Sequence, residues 1–154
     1  RDTERLRGIP SGILQSIALV ESGFAGVAWP WTLNVEGRPF YMQSRGDAEN
    51  LVRIVVPRIG TNIAVGCMQV HLHWHGERFA DLAGLVDPVT NVRYAAEFLV
   101  SLRTAHGSWT EAVRRYHASD RRAQDVYLCR VLRQRIGLGY QEETDEVRRL
   151  CPRH

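Results

Sequence analysis

The sequence predicts a mainly helical domain with one small β-hairpin inserted early, and three observations point there. Apolar residues recur at three- and four-residue spacing along most of the chain. Helix-start signals stand ahead of those stripes at Pro10, at Asp87-Pro88 and at Ser108 with Glu111. One stretch, residues 31–42, carries β-prone side chains on both sides of a turn signal. With 154 residues, 44% hydrophobic and 24% charged, the chain is long enough for one core. Residues 1–140 are expected to form the body of the domain and residues 141–154 its tail or a short terminal helix.

In order, Ile9, Ile13, Ile17 and Val20 recur at helical spacing, with Pro10 suited to a first turn and Gly23 to a stop, so residues 10–22 read as an amphipathic helix. Glu21 falls near its end. Each four-residue step from Ile13 to Ile17 to Glu21 advances about 40°, which sets the carboxylate on the apolar face. Residues 31–42 read as a hairpin about Glu36-Gly37, with Pro39 confining the second arm to a sheet edge. Ser44 and Asp47 have cap spacing ahead of Leu51, Val52, Val55 and Val56, predicting a second helix that stops near Pro57 and Gly60. Asp87-Pro88 starts a helix through Val92, Ala95, Ala96, Leu99 and Leu102 to Gly107. Ser108 and Glu111 form a capping box for a helix bearing Val113 and Tyr116. A last helix runs from Arg121 to Ile136, offering Val126, Leu128, Cys129 and Leu132 for burial, with Gly137 to end it.

The net charge is +3, and all 20 basic residues are arginine. That balance permits anionic partners without choosing one. A nucleic-acid reading has only the arginine count behind it, because no helix is dense in basic residues as a recognition helix is, so nucleic acid is not expected as a partner. The longest apolar runs are broken by Gly23, Pro57 or charges, so no membrane span is expected. The three cysteines, Cys67, Cys129 and Cys151, lack the close spacing of a zinc knuckle. In an oxidising compartment Cys129 and Cys151 can close a disulfide that ties the C-terminal tail to the preceding helix; in a reducing one all three stay thiols. His71, His73 and His75 alternate as they would on one side of a strand. A metal site needs further ligands and a second shell that no spacing marks, so they are read as loop histidines and neither metal nor cofactor is expected.

Glycosidic oxygens are poor leaving groups, and their cleavage needs a carboxylic acid that holds its proton until the bond breaks. Glu21 is placed to be that acid. The blocks Glu21-Ser22-Gly23-Phe24, Gly66-Cys67-Met68-Gln69-Val70 and Ala112-Val113-Arg114-Arg115-Tyr116-His117-Ala118-Ser119, in this order, resemble the signature blocks of the soluble lytic transglycosylases. These share the lysozyme-like α+β fold with goose-type lysozymes, and the resemblance covers roughly residues 8–120. It implies a peptidoglycan lyase that cuts between N-acetylmuramic acid and N-acetylglucosamine with one carboxylate. Glu21 would protonate the bridging oxygen and then serve as base while the sugar's own 6-hydroxyl closes a 1,6-anhydro ring. Ser22 would stand beside the acid, Met68 and Gln69 would line the groove, and Tyr116 would set its hydroxyl near Glu21 or the substrate's N-acetyl group. His117 and Ser119 stand where the family pattern has asparagine and glycine, and Cys67 stands for an aliphatic residue. His117 is kept as a substrate-binding position without a catalytic role.

The interval between Glu21 and Gln69 holds Trp29, Trp31, Phe40 and Tyr41, whose flat rings suit sugar faces, so Trp31 and Tyr41 are candidate groove residues. The same rings also fit a small satellite core. Two further readings stay open: a hydrolytic muramidase of the same fold, and an inactive glycan-binding scaffold of a cell-envelope machine. The resemblance implies peptidoglycan strands as substrate, a periplasmic or exported monomer whose signal peptide is absent from this chain, and service to a flagellar, secretion or conjugation apparatus.

Overall fold

The computed structural model describes residues 2–117 and 120–152. Helix α1 (Asp2–Arg7) comes first, and the apolar periodicity does not announce it. Its Glu4 is buried, and the carboxylate accepts from the backbone N–H of Gly12 at 3.0 Å and of Leu14 at 2.8 Å. These are unpaired donors at the start of α2 (Ile13–Ser22), so Glu4 acts as a distant cap. Helix α2 begins three residues after Pro10 rather than at it. Gly12 takes φ +86, and a side chain there would strike the Tyr140 ring, so residues 10–12 form a turn against that ring.

Strands β1 (Gly23–Phe24) and β2 (Val27–Ala28) form a two-stranded antiparallel ribbon. Strands β3 (Thr32–Val35) and β4 (Arg38–Tyr41) make the predicted hairpin, with Glu36 and Gly37 at φ 50 and 88, the sign that a two-residue hairpin turn requires. Ser44 caps α3 (Arg45–Ile59) by accepting from the Asp47 N–H. Pro57 does not stop this helix, which runs on to Ile59. A proline in the last turn deletes one N–H, while Gly60 N still reaches Val56 O at 2.9 Å.

Strands β5 (Ile63–Val65) and β6 (Val70–His71) extend the hairpin to a four-stranded antiparallel sheet of order β4-β3-β5-β6, with the Pro39 arm at the edge. The loop reading of the histidines is corrected here. Only His71 is on a strand, and Leu72–His75 form the single turn α4, capped by His71 Nδ1 accepting from His73 N. The buried Leu72 draws the chain inward at that point. Two 3-10 turns lead to α5 (Pro88–His106), where Asp87 accepts from the Thr90 N–H and hydroxyl and pairs with Arg45. The Thr90 N–H and hydroxyl hold that carboxyl below the usual range.

Helix α6 (Trp109–His117) follows its predicted cap, Ser108 accepting from Glu111 N. Helix α7 (Arg121–Gly137) has the predicted length, and of the residues offered for burial Leu128 is buried and Cys129 and Leu132 are half-buried. Gln124, Tyr127, Leu128 and Val131 form its buried face, whereas Val126 is 59% exposed. Helix α8 (Asp145–Leu150) closes the chain, and a disulfide joins Cys151 to Cys129 on α7.

Among the described residues the molecule is mainly helical, 63% helix against 11% strand. Two compact units share it. Residues 21–95 hold both sheets, and residues 1–20 with 96–154 form a helical unit. In the first, Leu33, Ile63, Val65, Leu72 and Leu85 are buried; in the second, Ile17, Leu99, Leu128 and Val131 are. No described helix is long and apolar enough to cross a membrane.

Candidate active site

Glu21 lies in the last turn of α2, half-buried. The next residue fixes what it faces. Ser22 is 1% exposed, and its hydroxyl donates to the Cys67 carbonyl at 2.8 Å, while its own carbonyl accepts from Trp29 N at 2.9 Å. Ser22 therefore ties the helix end to the Gly66–Gln69 turn and to the ribbon that carries Phe24; it is a positioning residue rather than a groove wall.

The turn at Gly66 is built around a residue that the sequence reading passed over. Asn91, fully buried near the start of α5, accepts from Met68 N at 2.9 Å and donates to Val65 O at 2.8 Å and Leu85 O at 2.9 Å. One side chain thus satisfies three buried backbone groups. Gly66 has φ +83, and a Cβ there would collide with the Asn91 amide, which explains the glycine twice over. The signal in the sequence was a polar residue four positions before Ala95 and eight before Leu99, on the buried stripe of α5.

Met68, expected to line the groove, is 1% exposed and belongs to the core. Gln69 is half-buried at φ 49, and its amide nitrogen donates to Gly66 O at 2.8 Å and Thr32 O at 3.2 Å. Both amide hydrogens are engaged by backbone, so the carbonyl Oε1 is the end left for a ligand. Cys67 is buried, and burial pushes its thiol up to about 11.

The hairpin supplies rings beside this frame. Tyr41 stacks on Phe24 with centroids 4.6 Å apart, and Trp29 meets Phe24 edge-on at 5.5 Å. Trp29 Nε1 donates to Met42 O at 2.7 Å, which locks the indole. Phe24 and Tyr41 remain 45% and 41% exposed, so they do not close a satellite core. Trp31 has no ring contact with this cluster among the described residues, and its backbone carbonyl accepts from Met42 N. Phe24, unassigned from sequence, takes the central place in the platform.

Tyr116 and His117 belong to the helical unit. Tyr116 packs against Phe98 at 5.6 Å and His117 against Tyr127 at 4.5 Å. Ala118 and Ser119, the end of the third block, lie outside the described residues. Among the described residues no group of three or more His, Cys, Asp or Glu side chains is arranged to hold a metal. His75 Nδ1 shares a 2.6 Å hydrogen bond with the Tyr94 hydroxyl, and burial lowers the proton affinity of both His71 and His75. No protein-family model, curated protein or solved structure matches this chain.

Proposed function

We propose that the chain is a peptidoglycan lytic transglycosylase with a lysozyme-like fold, cleaving the β-1,4 bond between N-acetylmuramic acid and N-acetylglucosamine and leaving 1,6-anhydro ends. The observation that carries this reading is the hydrogen bond from Ser22 to the Cys67 carbonyl. It unites the Glu-Ser block with the Gly-x-Met-Gln block, two short motifs that are weak alone and far apart in the chain.

In this reading Glu21 gives its proton to the bridging oxygen as that bond breaks, and the N-acetyl group of the muramyl sugar steadies the cationic carbon. The Glu21 carboxylate then takes the proton of the sugar's 6-hydroxyl as that oxygen bonds to the anomeric carbon. One carboxylate serves both steps and no water is consumed. Phe24 and Tyr41 give flat, exposed faces on which pyranose rings stack, and Gln69 Oε1 accepts from a sugar hydroxyl or N-acetyl N–H. A periplasmic or exported location is what such a substrate requires.

Digestion of purified sacculi, with mass spectrometry of the released muropeptides, tests the reading. The wild type is expected to release anhydromuramyl products, and Glu21→Gln to lose them by about 10²- to 10⁴-fold while its far-UV spectrum is unchanged. Reducing muramyl ends would instead make the chain a hydrolase. Binding to sacculi without any product would make it a glycan-binding module.

A further inference from the structure

The helical unit carries a groove of about 930 Å³ that the proposed glycan site does not use, floored by Leu19, Val20, Val126, Leu150 and Pro152 and by the Cys129–Cys151 bridge. Val126 and Leu150 in this floor are 59% and 38% exposed and line one groove, where they form a shared apolar patch. Four arginines and one aspartate line the rim. Arg121 is engaged by Glu111 and Asp125, and Arg133 by Glu143 and the Cys151 carbonyl. Asp125 is already shared between Arg114 and Arg121. Arg122 and Arg130 have no hydrogen bond or ion pair among the described residues, and both are exposed.

Arg122, Val126 and Arg130 follow one another at four-residue intervals on α7, so they form a single ridge with a charge at each end and an apolar residue between. Eight residues of helix set the two guanidinium stems about 12 Å apart. A lone phosphate or carboxylate does not span that interval. Two carboxylates seven or eight residues apart on a second helix do, and the apolar side chains between them would meet the floor. Among the described residues no aromatic ring lines this groove, although His117 and Tyr127 line the smaller pocket on the other side of the same ridge.

We propose that this groove is the docking site for an acidic amphipathic helix of a partner protein, its apolar stripe seated on Val126 and Leu150 and its carboxylates paired with Arg122 and Arg130. Leu19 and Val20 belong to the same helix as Glu21, so the partner would grip the element that carries the proposed acid. The docking site itself does not depend on the transglycosylase reading.

The probe is a fluorescein-labelled synthetic helix with leucine at every third or fourth position and glutamate elsewhere, read by fluorescence anisotropy at low salt. Binding is expected for the wild type, weakened about tenfold or more by R122E/R130E and also by Val126→Asp, and weakened by replacing the peptide's glutamates with glutamine. A scrambled peptide of the same composition is expected to bind poorly. Because Arg122 and Arg130 are exposed, R122E/R130E should keep the wild-type far-UV spectrum. Equal binding by wild type and R122E/R130E, equal binding of the scrambled peptide, or no binding at all overturns the proposal. So does arginine-dependent flotation with phosphatidylglycerol vesicles in the absence of peptide binding, which would make the groove a lipid site.

Discussion

At the scale of single residues, the proposed site rests on side chains that never meet substrate. Asn91 holds the Gly66–Gln69 turn by three hydrogen bonds, and the turn in turn receives Ser22 beside Glu21. Asn91→Ala would remove all three of these hydrogen bonds to buried backbone groups. Each such loss costs about 1–3 kcal/mol, so urea unfolding should show a loss of about 3 kcal/mol or more. Asn91→Asp can still accept from Met68 N but cannot donate, and it should fall between. A loss under about 1 kcal/mol for the alanine variant would remove Asn91 from this role. Glu21 and Ser22 were legible because a motif marked them; Asn91 was not, because a lone asparagine on a helix is more often a surface residue, and only three converging backbone groups reveal its work.

Among secondary-structure elements, caps and turn residues were the reliable text. Ser44, Asp87 and Ser108 each accept from the N–H three residues on, as read, and Glu36-Gly37 makes the hairpin. Strand pairing beyond the hairpin was not legible, since β5 and β6 hold three and two residues and such runs carry too little period. On α7 the buried face was legible at Leu128 but not at its polar end. Its buried stripe begins with the polar Gln124, while Val126 is left out on the surface. The disulfide between α7 and α8 closes a sequence separation of 22, and constraining such a loop in the unfolded chain is worth about 3 kcal/mol. Cys129→Ser with Cys151→Ser is expected to lower the melting temperature by roughly 6–12 °C, as calorimetry would read it. An unchanged melting temperature would show that α8 is held by its packing alone.

For the whole molecule, the two units carry different vulnerabilities. The one cross-link lies in the unit of residues 1–20 and 96–154, while the histidines with lowered proton affinity, His71 and His75, lie in residues 21–95. Burial is the main cause for both, with charge from His73 on the first and from Arg78 and His71 on the second. The unfolded chain binds protons at these sites more tightly than the folded one, so their neutral burial is tolerated in full above pH 6.5 and stability falls as pH drops from there through the folded values. Hydrogen exchange should therefore quicken in residues 63–94 between about pH 7.5 and about pH 5.5, after correction for intrinsic rates, and less so in His71→Gln with His75→Gln. Exchange that rises equally in both units, or equally in the double variant, would assign the effect elsewhere. The thiol under the Gly66 turn has a last consequence, for disulfide exchange. Three cysteines permit three pairings, but a sulfhydryl that is buried and ionises only near 11 is almost never a thiolate at neutral pH and is slow to attack a disulfide. In the folded chain Cys67 is thereby slow to exchange with the Cys129–Cys151 bridge.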